Sequence, residues 1–275
     1  MKKQILSLIP LLAFASAAYS AIAIDTAFDA DGIFTASGDD TISATTSLSV
    51  GTGSDRYLLA FISARAESDP NLAAGLPSVT TLSYGGNNFS AVSGSLASID
   101  DGYVVSTQAY ALAIGSGVTG ANDLVYNIST SSSNNPRGMT LTFLALEDVG
   151  SVSSLDTTAA QSSSAVNTSG SVAAGSWIVG SAAWVNSART ATAETGQTTF
   201  GDISGTIGDT FNIRSIAGYE SITSAGTESM NWTLSGNSDS AGTLLEVTDV
   251  PEPSTFALMG GALALCVVML RRRRS

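Results

Sequence analysis

Three acidic residues, Asp25, Asp29 and Asp31, stand just ahead of Gly32 in a turn-prone stretch. Carboxylate oxygens gathered before a tight bend are the hard ligands that Ca²⁺ takes, so the stretch is a candidate calcium loop. The same residues also serve as ordinary Asx-turn formers. The further spaced ligands and distal Glu of an EF-hand are missing, and Asp39 and Asp40 do not supply them. Glu67-Ser68-Asp69 begins a spacing that polysaccharide hydrolases place on a strand, but the third carboxylate is absent and Pro70 interrupts the strand. Of the three tryptophans, Trp177 and Trp232 sit in alternating apolar sets and read as core. Trp184, beside Val185-Asn186 near a strand end, is the candidate exposed ring for a sugar. The chain has no His, and its single Cys, Cys266, lies in a C-terminal apolar run. Imidazole metal sites, His-based triads and a disulfide in the body are thereby excluded. No cofactor is expected, Ca²⁺ being the one candidate ligand.

The elements that would have to position such residues are all strands. Between residues 24 and 249 no helical periodicity of useful length occurs. Short runs of Val, Ile, Thr, Tyr, Phe and Trp alternate with Gly, Ser, Asn and Asp clusters. The pattern predicts strands at 41–50, 56–66, 79–84, 89–92, 103–114, 124–130 and 139–146. After a Ser-rich connection, 151–169, it predicts strands at 176–186, 198–203, 211–221, 229–234 and 242–247. Leu124, Tyr126 and Ile128 share one face, as do Met139, Leu141 and Phe143, and Met230, Trp232 and Leu234. Asp100-Asp101-Gly102 reads as a hairpin turn. The fold class expected is all-β, a jelly-roll-like β-sandwich.

Some segments occur in near-duplicate. Val50 leading to Tyr57-Leu58-Leu59-Ala60 is echoed by Val172 leading to Trp177-Ile178-Val179-Gly180. Thr107 to Ala111 is echoed by Ser215 to Glu220, and Gly120 to Asn127 by Gly226 to Thr233. Either the body is built from two pseudo-repeated strand sets whose loops differ in length, or short Ser/Thr-rich strands resemble one another by composition. With few large apolar groups in each half, the first case predicts one combined sandwich rather than two small domains.

Charge divides the chain. The net charge is −12, but Lys2, Lys3, Arg271, Arg272, Arg273 and Arg274 lie at the ends. The body holds only Arg56, Arg65, Arg137, Arg189 and Arg214, against 22 of the 23 acidic residues. That balance excludes nucleic acid and an anionic membrane surface as partners of the body.

The ends read as addresses. Residues 1–23 carry two lysines, an apolar run from Ile5 to Ala15, and two small-x-small sites, Ala18-Tyr19-Ser20 and Ala21-Ile22-Ala23. This is the pattern of a signal peptide cut by signal peptidase after Ser20 or Ala23. At the other end, Thr255 to Leu270 is uncharged and apolar. Its 16 residues would span ~24 Å as a helix, the short edge of what crosses a bilayer. Arg271, Arg272, Arg273 and Arg274 follow at once and form the expected membrane stop. They fix the segment with the body outside and the C-terminus in the cytoplasm.

Val250-Pro251-Glu252-Pro253-Ser254, then the apolar run, then the arginine cluster resembles the PEP-CTERM sorting signal of Gram-negative bacteria. The resemblance covers residues 250–275. It implies recognition of Pro251, Glu252 and Pro253 by exosortase, a membrane cysteine transpeptidase, cleavage near that motif, and association with exopolysaccharide and biofilm. Two prolines hold the backbone extended, the form in which proteolytic machines bind substrates. The body, through Thr81-Leu82-Ser83-Tyr84-Gly85-Gly86 and the strands around it, resembles secreted bacterial β-sandwich domains of unassigned function. Taken together, the sequence predicts a signal peptide (1–23), a β-sandwich ectodomain (24–249) and a sorting signal (250–275). The function expected is that of a non-catalytic protein, exported and transiently membrane-anchored, then carried at the cell surface or in the extracellular matrix. The alternatives are a carbohydrate-binding module and, third, a glycoside hydrolase.

Overall fold

The structure, a computed structural model, describes residues 21–25, 33–34, 41–67, 77–115, 117–130, 136–186, 188–207 and 211–250. All regular structure among them is β. The first half contains β1 (Ala23–Ile24), β2 (Ile33–Phe34), β3 (Thr41–Val50), β4 (Arg56–Glu67), β5 (Pro77–Tyr84), β6 (Asn87–Asn88), β7 (Ser90–Ala91), β8 (Ala97–Asp100), β9 (Tyr103–Ile114), β10 (Gly120–Thr130) and β11 (Pro136–Glu147). The second contains β12 (Val149–Val172), β13 (Trp177–Val185), β14 (Ala191–Ala193), β15 (Thr198–Ile207), β16 (Phe211–Ser221) and β17 (Gly226–Asp249). Residues Ala21–Asp249 form one compact unit.

In the first half one sheet runs β1-β11-β4-β9, with β7 and β8 on the far side of β9, and a second runs β3-β10-β5-β6. Every pairing is antiparallel. Alternation does the rest. Leu58, Ala60 and Ile62 of β4 face Leu82, Tyr84, Leu124, Tyr126 and Ile128 of the other sheet, and together they form one buried cluster. β8 and β9 join through the anticipated Asp101-Gly102 turn, where Gly102 has φ 78°, a value that glycine adopts without strain.

The second half repeats this wiring. β17 and β12 are each 24 residues long and serve two layers. Residues 240–247 of β17 pair with β13 on one side, and residues 240–249 pair with β12 from Val149 to Ala160 on the other. Residues 226–233 of the same strand pair with Ala165–Val172 of β12, and β14 adds to the outer edge. Register shifts between Ala160, Ser163 and Ala165 mark where β12 turns from one layer to the other. The three sequence echoes fall at matching places. Val50 pairs with Gly120 and Val172 with Gly226; Tyr126 pairs with Ala44 and Trp232 with Val166; Leu59 pairs with Ala111 and Val179 with Tyr219.

Two expectations are corrected. The halves do not merge into one sandwich: each has its own buried interior, and a third cluster joins them. That third cluster sets Leu59, Phe61, Leu144 and Leu146 against Val179, Ala217, Leu245 and Val247. The middle sheets are thus covered on both faces, which is why apolar residues run without alternation through 57–62 of β4 and through most of β13. The 151–169 stretch is not a connection but most of β12. Its Ser, Thr and Ala side chains bury little, and it is held by main-chain pairing to β17.

Candidate functional site

Asp25 is the one residue of the candidate calcium loop that the structure describes; Asp29 and Asp31 lie outside the described residues. Asp25 is 2% exposed. Its amide N–H donates to Ala145 O at 3.0 Å, and one carboxylate oxygen accepts the Gly51 N–H at 2.7 Å. The approach is close: a Cβ at Gly51 would stand 2.8 Å from Asp25 Oδ1 and 3.2 Å from Glu147 Oε1. Buried Arg56 braces the same loop, donating to the Gly51, Gly115 and Val118 carbonyls. Asp25 therefore fastens the β3–β4 loop to the start of the body. Among the described residues no group of three or more Asp, Glu or Cys side chains is placed to hold a metal ion.

Glu147 ends β11 beside this fastening. Partial burial raises its pKa, Asp25 and Asp148 raise it further, and Arg56 opposes them. Glu220 is raised by burial and by Glu228 and Glu194, and Asp249 is raised by burial. The folded chain thus holds these protons more tightly than the unfolded one. The resulting stability is complete below the ordinary carboxylate pKa and is lost as pH rises through the raised values. Thermal unfolding followed between pH 7 and pH 5 will show Tm rising as pH falls, and Glu147→Gln will flatten that slope while raising Tm at pH 7. An unchanged slope in the variant would exclude Glu147 as a contributor.

Trp184 is a correction. It is fully buried, and its indole N–H donates to Arg189 O at 3.1 Å. Counted along β13 it shares the inward phase of Ile178, Gly180 and Ala182, so proximity to the strand end does not expose it. Trp232 is buried as expected. Trp177, read as core, lies on the other face of β13 and packs against the cluster that joins the halves. It is half-buried and stacked on Tyr219 with ring centres 5.0 Å apart and planes 12° apart, with Phe200 tilted against Tyr219. The partly exposed tryptophan is therefore Trp177, not Trp184.

A groove of about 400 Å³ opens between Ser90–Ser93, Ala111 and Val152–Ser154. Its lining offers hydroxyls and no titratable side chain, so it contains no general base to activate a serine. Glu67 ends β4, while Ser68 and Asp69 lie outside the described residues.

The remaining sequence-derived residues belong to the two ends. They are the signal segment through Ser20, the motif Pro251, Glu252 and Pro253, the apolar run 255–270, and the membrane-stop residues Arg271, Arg272, Arg273 and Arg274. All lie outside the described residues. Among those described, no helix is long and apolar enough to cross a membrane. β17 ends at Asp249, so only Val250 separates the last strand from Pro251. The family model of the PEP-CTERM protein-sorting motif matches residues 249–274, a span that takes in Pro251, Glu252 and Pro253 together with Arg271, Arg272, Arg273 and Arg274. Its first matched residue is the last residue of β17. No curated protein and no solved structure matches the chain. The motif marks an exported protein, recognised by exosortase and held transiently by its C-terminus before cleavage.

Proposed function

We propose, proceeding from a chain that carries a PEP-CTERM sorting motif, that it is an exported, non-catalytic structural protein of the cell surface or extracellular matrix of an exopolysaccharide-producing bacterium. Its body is read as two jelly rolls in tandem, the product of a duplicated strand set. The observation that carries this reading is the position of the motif, which begins where the last strand ends, so that cutting there releases the whole folded body and nothing less. The absence of His removes imidazole-based chemistry.

Mass spectrometry of the protein from cells and from medium tests the reading. The expected result is full-length chain in the membrane fraction only, and a new C-terminus near Pro251 to Pro253 elsewhere. Full-length chain ending at Ser275 in the medium would overturn it. A second reading, carbohydrate binding, is favoured by the Trp177–Tyr219 pair. It requires the body to be retained on host exopolysaccharide and retention to be lost in Trp177→Ala.

A further inference from the structure

The sequence leaves two sites open for removal of the export signal, after Ser20 and after Ala23. We infer that signal peptidase hydrolyses the Ser20–Ala21 bond, and that Ala21 is the N-terminal residue of the mature protein. One water is consumed, leaving a carboxylate on Ser20 of the released leader and an amine on Ala21.

The residues between the two sites belong to the folded body. Ile22 is 5% exposed and lies in the cluster that joins the two halves. Ala23 pairs with Glu147 and Ile24 with Leu146, so β1 straddles the second candidate bond. Asp25 continues the strand with its N–H to Ala145 O and its carboxylate on the Gly51 N–H. Cleavage after Ala23 would remove Ile22 from that cluster, halve β1 and put a charged, hydrated amine on Ile24, next to buried Asp25. Cleavage after Ser20 keeps Ile22, Ala23 and Ile24 in place and puts the new amine on exposed Ala21.

The second half shows the same position filled. Leu146 lies opposite Tyr57 as Val247 lies opposite Trp177, so Ile24, which pairs with Leu146, corresponds to Val152, which pairs with Val247. There the edge strand is covalently continuous, and buried Val149 precedes Val152 within it. Ile22 and Val149 lie in the same cluster. Both halves therefore need an apolar residue ahead of this edge pair, and only the Ser20 site preserves it in the first. The Ser20 site is also the nearer to the apolar run, five residues beyond Ala15 against eight for Ala23.

The inference rests on the export reading, and N-terminal sequencing of the full chain produced in its host separates the two. Ala21 as the first residue is the expected result. Ile24 as the first residue would overturn the inference and leave export intact, whereas a chain beginning at Met1 outside the cytoplasm would overturn export by this signal. Two variants of the full chain sharpen the test. Ser20→Leu is expected to accumulate as precursor or to shift wholly to another site. Ala23→Leu, at an exposed position, is expected to start at Ala21 like the wild type. The reverse pattern, with Ala23→Leu blocked and Ser20→Leu processed normally, would assign the cut to Ala23.

Discussion

A chain in which Pro251, Glu252 and Pro253 are all replaced by alanine will stay in the membrane at full length, while a chain lacking Arg271, Arg272, Arg273 and Arg274 will leave it unprocessed. The two failures differ because the two parts do different physical work. On the proposed reading the apolar run 255–270 stops translocation, and the arginines behind it make further movement costly. Each charge drawn to the bilayer centre costs about 2.5–3.5 kcal/mol, so removing four leaves a short run with nothing to hold its cytoplasmic end. Alanine at the three motif positions leaves that anchor untouched. It takes away two prolines and the one carboxylate between them, and so changes only the residues of the motif. Immunoblots of membrane and medium fractions read both outcomes. Normal release of the alanine variant would reduce Pro-Glu-Pro to a linker.

Trp232→Ala will be the most damaging single truncation in the body, lowering stability by roughly 3–5 kcal/mol. Trp232 is fully buried, and the sheet beneath it is shaped to receive the indole. Gly180 and Gly218 are a cross-strand pair. A Cβ at Gly180 would stand 2.8 Å from Met230 Sδ, 2.9 Å from Thr243 O and 3.1 Å from Trp232 Cη2. The corresponding places in the first half hold Ala60 opposite Tyr110, with the smaller Tyr126 above. A larger ring thus comes with a bare floor, and a smaller ring with a filled one. Gly180→Ala is accordingly expected to destabilise by about 1–3 kcal/mol through overpacking. Trp232→Phe should cost less than Trp232→Ala, since it keeps much of the ring and removes an indole N–H that is buried without a partner. Thermal or denaturant unfolding of the three variants gives the order directly. Equal losses for Phe and Ala would show that cavity size is not what decides the cost.

The bounds of β3, β9 and β16 follow from composition and alternation, because those strands are flanked by strong turn residues. β12 was hidden because strand signals in sequence are burial signals, and this strand is kept by main-chain partners far along the chain. Stacking of the halves was in fact written in β4 and β13, where apolar residues run on without alternating; a strand solvated on one face does not look like that. The phase of Trp184 could have been counted from Ile178, but its nearness to Asn186 pointed the other way. The fastening at Asp25 was not legible. Its chemistry, one carboxylate on a main-chain N–H 26 residues ahead, is defined only once the chain has folded. The sorting motif was fully legible, since the order of its residues over 249–274 identifies it and its meaning does not wait on a fold.

β17 is the centre of both layers of the second half, and it is also the last strand of the body. Val149 has to find Asp249, and Val172 has to find Gly226, before that half has its middle strand. Closing loops of such length is slow, and nothing local rewards the attempt. A chain exported from its N-terminus can complete the first half once β11 has emerged, but must keep the second open until the final residues ahead of the apolar run are out. If that run halts translocation as proposed, the halt falls just after the last residue of β17 has emerged. On that reading the tail that carries the address would also hold the chain by its end while the slow half closes.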